Sequence, residues 1–205
     1  MKRILLAAVG VATLVAAGAA SAQENQTVAI NATVAPKCGV SAQSSTVTLP
    51  ADLTNSEAKV RAAVTDEIAE ALNGARIIAF CNGVNNSVTV ERAVLAREGA
   101  TDNGLTEGGF AQFIRYNLDA SINGMLLDST SDEGATTVAK RFGGHLSSSS
   151  EATHVRFAKA TSDGAAIASR GGSSATAGNW LGLTDRRLAA GAYTGSINLI
   201  VAPGA

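Results

Sequence analysis

Charge is scarce in this sequence. Only 16% of the residues are Asp, Glu, Lys or Arg, and 16 basic side chains nearly balance 17 acidic ones. Without a basic excess there is no electrostatic footprint for nucleic acid or for an anionic membrane surface. Aromatics supply 4% of the chain, and its two histidines, His145 and His154, do not stand at a metal-ligand spacing. Cys38 and Cys81 are isolated, with no Cys-x-x-Cys, which removes the pattern expected of a redox dithiol. After the first twenty residues no apolar run is long enough to cross a bilayer as a helix.

What is there begins with Lys2 and Arg3, an apolar run over residues 4–20, and then Ala20-Ser21-Ala22. A positive start, an apolar middle and a small-x-small site are the parts of a secretory signal. A membrane anchor is the rival reading, but the run is rich in Ala and Gly, near the lower limit for spanning, and ends in a cleavable motif. Residues 1–22 are therefore expected to be a signal peptide and residues 23–205 a single domain with no mature membrane span. Removing 22 of the 205 residues leaves 183, enough for one core, with 14 basic against 17 acidic side chains and a formal charge of −3. Abundant Ala, Gly, Ser and Thr with few charges fit a secreted, mainly β domain. An even pair of cysteines in an exported chain predicts a Cys38–Cys81 disulfide, contributing about 4 kcal/mol in the chain-entropy model.

Along the chain, Val28, Ile30, Ala32 and Val34 alternate with polar residues, the period of a half-buried strand over residues 27–34 that Pro36 ends. A short strand is expected at 46–49. Thr54 and Glu57 form a candidate capping box, and Val60, Val64, Ile68 and Leu72 recur every four residues, which predicts a helix over residues 56–72 that stops at Asn73-Gly74. Residues 76–81 and 87–95 flank an Asn/Gly-rich turn and read as a hairpin, with Val88, Val90 and Arg92 on one face of the second strand. Further strands are expected at 113–122, extended by 125–127 beyond the Asn123-Gly124 turn, at 154–160, and at 191–201. In the last of these Tyr193, Ile197, Leu199 and Val201 share a face. Strands of this size between turn residues suggest a sandwich.

No residue set assembles a catalytic centre. His145 and His154 read as surface or edge residues. Ser147 to Ser150 lack a nucleophile elbow and an acid partner. Asp128, Asp132 and Glu133 do not follow a calcium-loop spacing and read as a solvated turn. Asp66, Glu67 and Glu70 read as the wet face of the helix. Gly143-Gly144 and Gly171-Gly172 lack the strand-before, helix-after setting of a phosphate cradle. The chain is thus expected to be neither an enzyme nor a cofactor carrier.

Four segments resemble the spore coat protein U domain family, which includes the archaic chaperone–usher pilins. They are Thr27-Val-Ala-Ile-Asn-Ala-Thr-Val-Ala-Pro-Lys-Cys38-Gly-Val, Ala75-Arg-Ile-Ile-Ala-Phe-Cys81-Asn-Gly, Ile114-Arg-Tyr-Asn-Leu118, and Ala190-Gly-Ala-Tyr193-Thr-Gly-Ser-Ile-Asn-Leu-Ile-Val201. Their order and the cysteine placement carry the resemblance across roughly half of the mature chain. The helical region and the long middle to residue 178 do not match the family. The resemblance implies an incomplete immunoglobulin-like sandwich whose missing strand is supplied by a neighbour, or first by a periplasmic chaperone. It further implies export through the periplasm, an outer-membrane usher, neighbouring like subunits, and a place in a surface pilus serving adhesion or biofilm formation. Val28, Ile30, Ala32 and Val34 would be the donor-strand knobs, and Tyr193, Ile197, Leu199 and Val201 the groove-edge strand. The alternative is a self-complete secreted β-sandwich acting as a binding or adhesive module, with the N-terminal strand paired inside its own fold.

Overall fold

The structure, a computed structural model, describes residues 29–49, 52–101, 105–130, 135–144, 153–170 and 181–204. The chain divides into two units, Met1–Val34 and Ala35–Ala205. The expected signal segment lies outside the described residues. Of the first unit only residues 29–34 are described, and they form neither strand nor helix. This corrects the strand expected there. Alternation equips a segment to lie on a sheet, but its backbone groups need a neighbouring strand to form a ladder.

The second unit is mainly β, with one helix. Strand β1 (Cys38–Ala42) pairs antiparallel with β2 (Ile77–Cys81). Strand β3 (Asn86–Arg92) lies between β13 (Ile197–Pro203) and β8 (Thr136–Val138). Strand β4 (Leu95–Arg97) pairs with β12 (Tyr193–Thr194) on one side and β5 (Phe113–Arg115) on the other. That sheet continues through β10 (Ile167–Arg170) to β11 (Leu181–Gly182). Strand β6 (Leu118–Ile122) sits between β7 (Met125–Ser129) and β9 (Val155–Lys159). Every one of these ladders is antiparallel.

The period of two explains the best-formed strands. In β3, Asn86, Val88, Val90 and Arg92 are buried while Glu91 is exposed. In β6, Leu118, Ala120 and Ile122 are buried. The β6–β7 hairpin turns on Asn123 and Gly124, both at positive φ (47° and 74°), the combination its two-residue turn demands. One apolar cluster gathers Val64 and Ile68 with Val88, Val90, Ile114, Leu118, Leu127 and Phe157, so all the larger sheets share a core. The expected strand over residues 113–122 is split into β5 and β6 at Tyr116-Asn117, and Phe113 packs in a second, smaller cluster with Val94.

Helix α1 (Val64–Gly74) begins eight residues later than the periodicity predicts. The capping box does not form. The Asp52 carboxylate accepts from Thr54 N and Oγ1, the Asn55 amide oxygen accepts from Glu57 N and Lys59 N, and Ala58 takes a positive φ of 59°. Side chains that bond the local backbone compete with helix formation, and here they win. The residues flanking α1 at the other end are not closed by Gly74 in a left-handed conformation; Arg76 adopts that conformation instead, at φ 49°. Val64 and Ile68 of the expected stripe are buried, and Leu72 and Val60 pack partly against the core.

The expected hairpin of residues 76–81 with 87–95 is absent, because β2 and β3 belong to different sheets. Cys81 exchanges both backbone hydrogen bonds with Phe142 (3.0 and 3.1 Å), so the edge that β3 would use is occupied. Residues 46–49 are irregular. Among the described residues, no helix is long and apolar enough to cross a membrane.

Candidate functional site

Two strands that are edges among the described residues, β1 and β13, carry Cys38 and three of the four C-terminal candidates, Ile197, Leu199 and Val201. β13 has β3 on one side, and β1 has β2 on one side. Among the described residues neither has a ladder partner on its other side. β1 and β13 nevertheless approach with Cα atoms within 8 Å of each other. Unpaired edges of this kind present a row of backbone donors and acceptors to any strand that can reach them.

Burial falls from the inner strand to the edge strand on both sides of this seam. Across β3–β13, Val88 pairs with Val201, Val90 with Leu199, and Arg92 with Ile197. The β3 members are buried, whereas Ile197, Leu199 and Val201 are half-buried against the core. Across β2–β1, Cys81 pairs with Cys38 and Ala79 with Val40. Cys81 and Ala79 are fully covered, yet Val40, on the same face, is 42% exposed. Core-facing aliphatic surface therefore reaches solvent along both edges. Ile197, Leu199 and Val201 share a face, as the sequence predicts. Tyr193 does not share that strand, which corrects the single strand expected over residues 191–201. It lies on β12, paired with β4 in another sheet, where it packs partly against the core and donates its hydroxyl to the Ala189 carbonyl at 2.8 Å. Burial raises the pKa of that hydroxyl to about 12, with Arg97 acting the other way.

Cys38 and Cys81 form the expected disulfide, which ties the start of β1 to the end of β2. Beyond it Asn82 carries the pairing one residue further. Its N–H donates to the Lys37 carbonyl at 3.0 Å, its side-chain oxygen accepts from Lys37 N at 2.5 Å, and its side-chain nitrogen donates to the Ala35 carbonyl at 3.3 Å. Sequence reasoning missed both β1 and this role of Asn82; the Asn-Gly pair at 82–83 signalled only a turn. Of the N-terminal candidates, Val28 lies outside the described residues. Ala32 is exposed, and Ile30 and Val34 are 91% and 83% exposed.

The polar candidates that are described make contacts within the fold. Arg92 is buried on β3, and its guanidinium donates to the Tyr116 carbonyl and the Asn117 side chain. Burial depresses its pKa to about 10. Asn117 in turn donates to the Asp163 carbonyl at 3.0 Å. Asp128 is not in a solvated turn: it is buried on β7, accepting from Val90 N at 2.8 Å and Thr136 Oγ1 at 2.6 Å. There it continues the bonding of β3 past the short β8. Asp132, Glu133, His145, Ser147 to Ser150 and Gly171-Gly172 lie outside the described residues. His154 is buried, not on the surface, where it forms an isolated bridge with Ile78. Of the helix carboxylates, Asp66 meets Lys159 at 3.0 Å, and Glu67 is half-buried in a two-bond pair with Arg61. Among the described residues no group of His, Cys, Asp and Glu is placed to hold a metal ion.

One surface depression of about 490 Å³ lies beside the β6–β7 turn, lined by residues that include Met125, Lys140, Arg141 and Phe142. Its described lining brings together no carboxylate, histidine or cysteine, so it offers no acid–base or nucleophilic pair. Comparison with known families, with characterised proteins and with solved structures finds no match to this chain.

Proposed function

We propose that this protein is a structural subunit of a secreted pilus or surface fibre, an immunoglobulin-like sandwich that lacks one strand and is completed by a strand from another molecule. The observation that carries the reading is the fall in burial toward the β1–β13 seam. Aliphatic side chains that the register turns toward the core stay partly open, beside two backbone edges that have no ladder partner among the described residues. A strand laid there gains main-chain hydrogen bonds and covers those side chains, about 0.8 kcal/mol for each methylene removed from water. The N-terminal segment fits the part of the donor. Ile30, Ala32 and Val34 alternate with polar residues and are exposed, as a segment awaiting a sheet in another molecule would be.

Before assembly the same seam would be held by a periplasmic chaperone strand, and handover at an outer-membrane usher would replace that strand with Val28, Ile30, Ala32 and Val34 of the next subunit. The sandwich has no part in catalysis on this reading; its work is adhesion or biofilm formation through the fibre. A synthetic peptide of residues 23–34 added in trans tests it. The isolated protein is expected to aggregate or unfold readily, and the peptide to bind and raise its thermal midpoint. A protein that stays monomeric at high dilution and ignores the peptide is instead a self-complete secreted module.

A further inference from the structure

We infer that Asn82 is a positioning residue that denies the chain its own N-terminal segment and so keeps the seam open for another molecule. The inference rests on the strand-exchange reading above. Residues 35–37 are the short span between the donor candidates and β1, and Pro36 at its centre is well placed for the second position of a β-turn. Such a turn would reverse the chain and lay residues 28–34 along the β1 they precede. In a turn over residues 35–38 the Ala35 carbonyl would accept from the Cys38 N–H. In the structure that carbonyl accepts from the Asn82 side chain, and Lys37 is held on both backbone groups by Asn82. One amide thus satisfies both groups flanking the proline and keeps residues 35–37 as a continuation of the β1–β2 pairing.

The arrangement is braced from behind. The Asn82 carbonyl, no longer needed in the ladder, accepts from Arg141 Nε at 2.8 Å. Cys81 beside it is fixed by the disulfide and by its paired backbone bonds to Phe142. Asn82 is thereby anchored independently of the span it holds. Aspartate at this position could accept from Lys37 N but not donate to the Ala35 carbonyl, which separates the two contacts.

The test compares the native chain, expressed from Met1 with its processing checked by mass, with Asn82→Ala and Asn82→Asp. After refolding from denaturant, the fraction of folded monomer is read by light scattering, and uptake of a labelled peptide of residues 23–34 by anisotropy. Asn82→Ala is expected to raise the closed monomer relative to assembled or peptide-binding protein by about five- to tenfold, the range of one or two ordinary hydrogen bonds. Asn82→Asp should fall between. Inserting four glycines after Ala35 supplies the slack by another route, and on that background Asn82→Ala should change the ratio by less than about twofold. An equal effect of Asn82→Ala on both backgrounds would mean that the residue acts only through stability, and no effect on the native background would also overturn the inference. A native chain that takes up no peptide and forms no assemblies removes the strand-exchange reading itself, and the role of Asn82 with it.

Discussion

Tyr116 and Tyr193 are the two tyrosines of this chain, and burial raises both hydroxyls to about 12 from an ordinary value of 10. Each group holds its proton longer in the folded than in the unfolded state, so its stabilising contribution is complete below pH 10 and is lost as pH rises to about 12. Arg92 works in the opposite sense. Its folded pKa of about 10 lies below the usual 12.5, so the cost of burying its charge is relieved over that interval. Phenolate absorbance in the native protein should therefore rise near pH 12 and, in urea, near pH 10; a native midpoint near 10 would show both rings open to water. Asp128→Ala removes the acceptor for two buried donors and should lower unfolding free energy by about 2–3 kcal/mol in a urea titration, with Asp128→Asn losing less. Arg92 was legible as an inward residue because it alternates with Val88 and Val90. Asp128 and His154 were not: a polar side chain reads as exposed unless the distant backbone that satisfies it is known.

Among the elements, α1 is joined to β9 by the exposed Asp66–Lys159 pair and, at its C-terminal end, by the side chain of Asn73. Asn73 accepts from Phe157 N at 2.8 Å and donates to its carbonyl at 3.0 Å, standing where a neighbouring strand would stand. Asn73→Ala should cost about 1–2 kcal/mol and speed hydrogen exchange at the Phe157 amide more than at amides of β3. An unchanged Phe157 amide would mean that the edge is protected in another way. Where hydrophobic period and burial coincide, as in β2, β3, β6 and β13, the sequence was enough to place a strand. It failed at β8 and β10, which are three and four residues long and carry too few positions to show a period. β1 was hidden for a related reason, since Gly39, Ser41 and Ala42 give it almost no apolar signal. The helix was recognisable from its stripe, but its start was misplaced because Asp52 and Asn55 claim the preceding turn. The two walls of the candidate seam divide the same way: β13 could be read from the sequence, and β1 came only from the fold.

At the scale of the whole molecule, the disulfide spans 43 residues that include α1 and most of β2, while joining two strands that are immediate neighbours. In a fibre pulled along its length, tension would arrive through residues 35–37 and meet a covalent link at Cys38 before it could peel β1 from β2. The intervening polypeptide would thus be bypassed by the load and could not be drawn out. In single-molecule stretching, Cys38→Ser with Cys81→Ser should release roughly 150 Å of additional contour length, at about 3.5 Å per freed residue. Equal extension of the two proteins would show that the load takes some other route. In such a filament the cystine would act as a stop on how far each link could lengthen under shear.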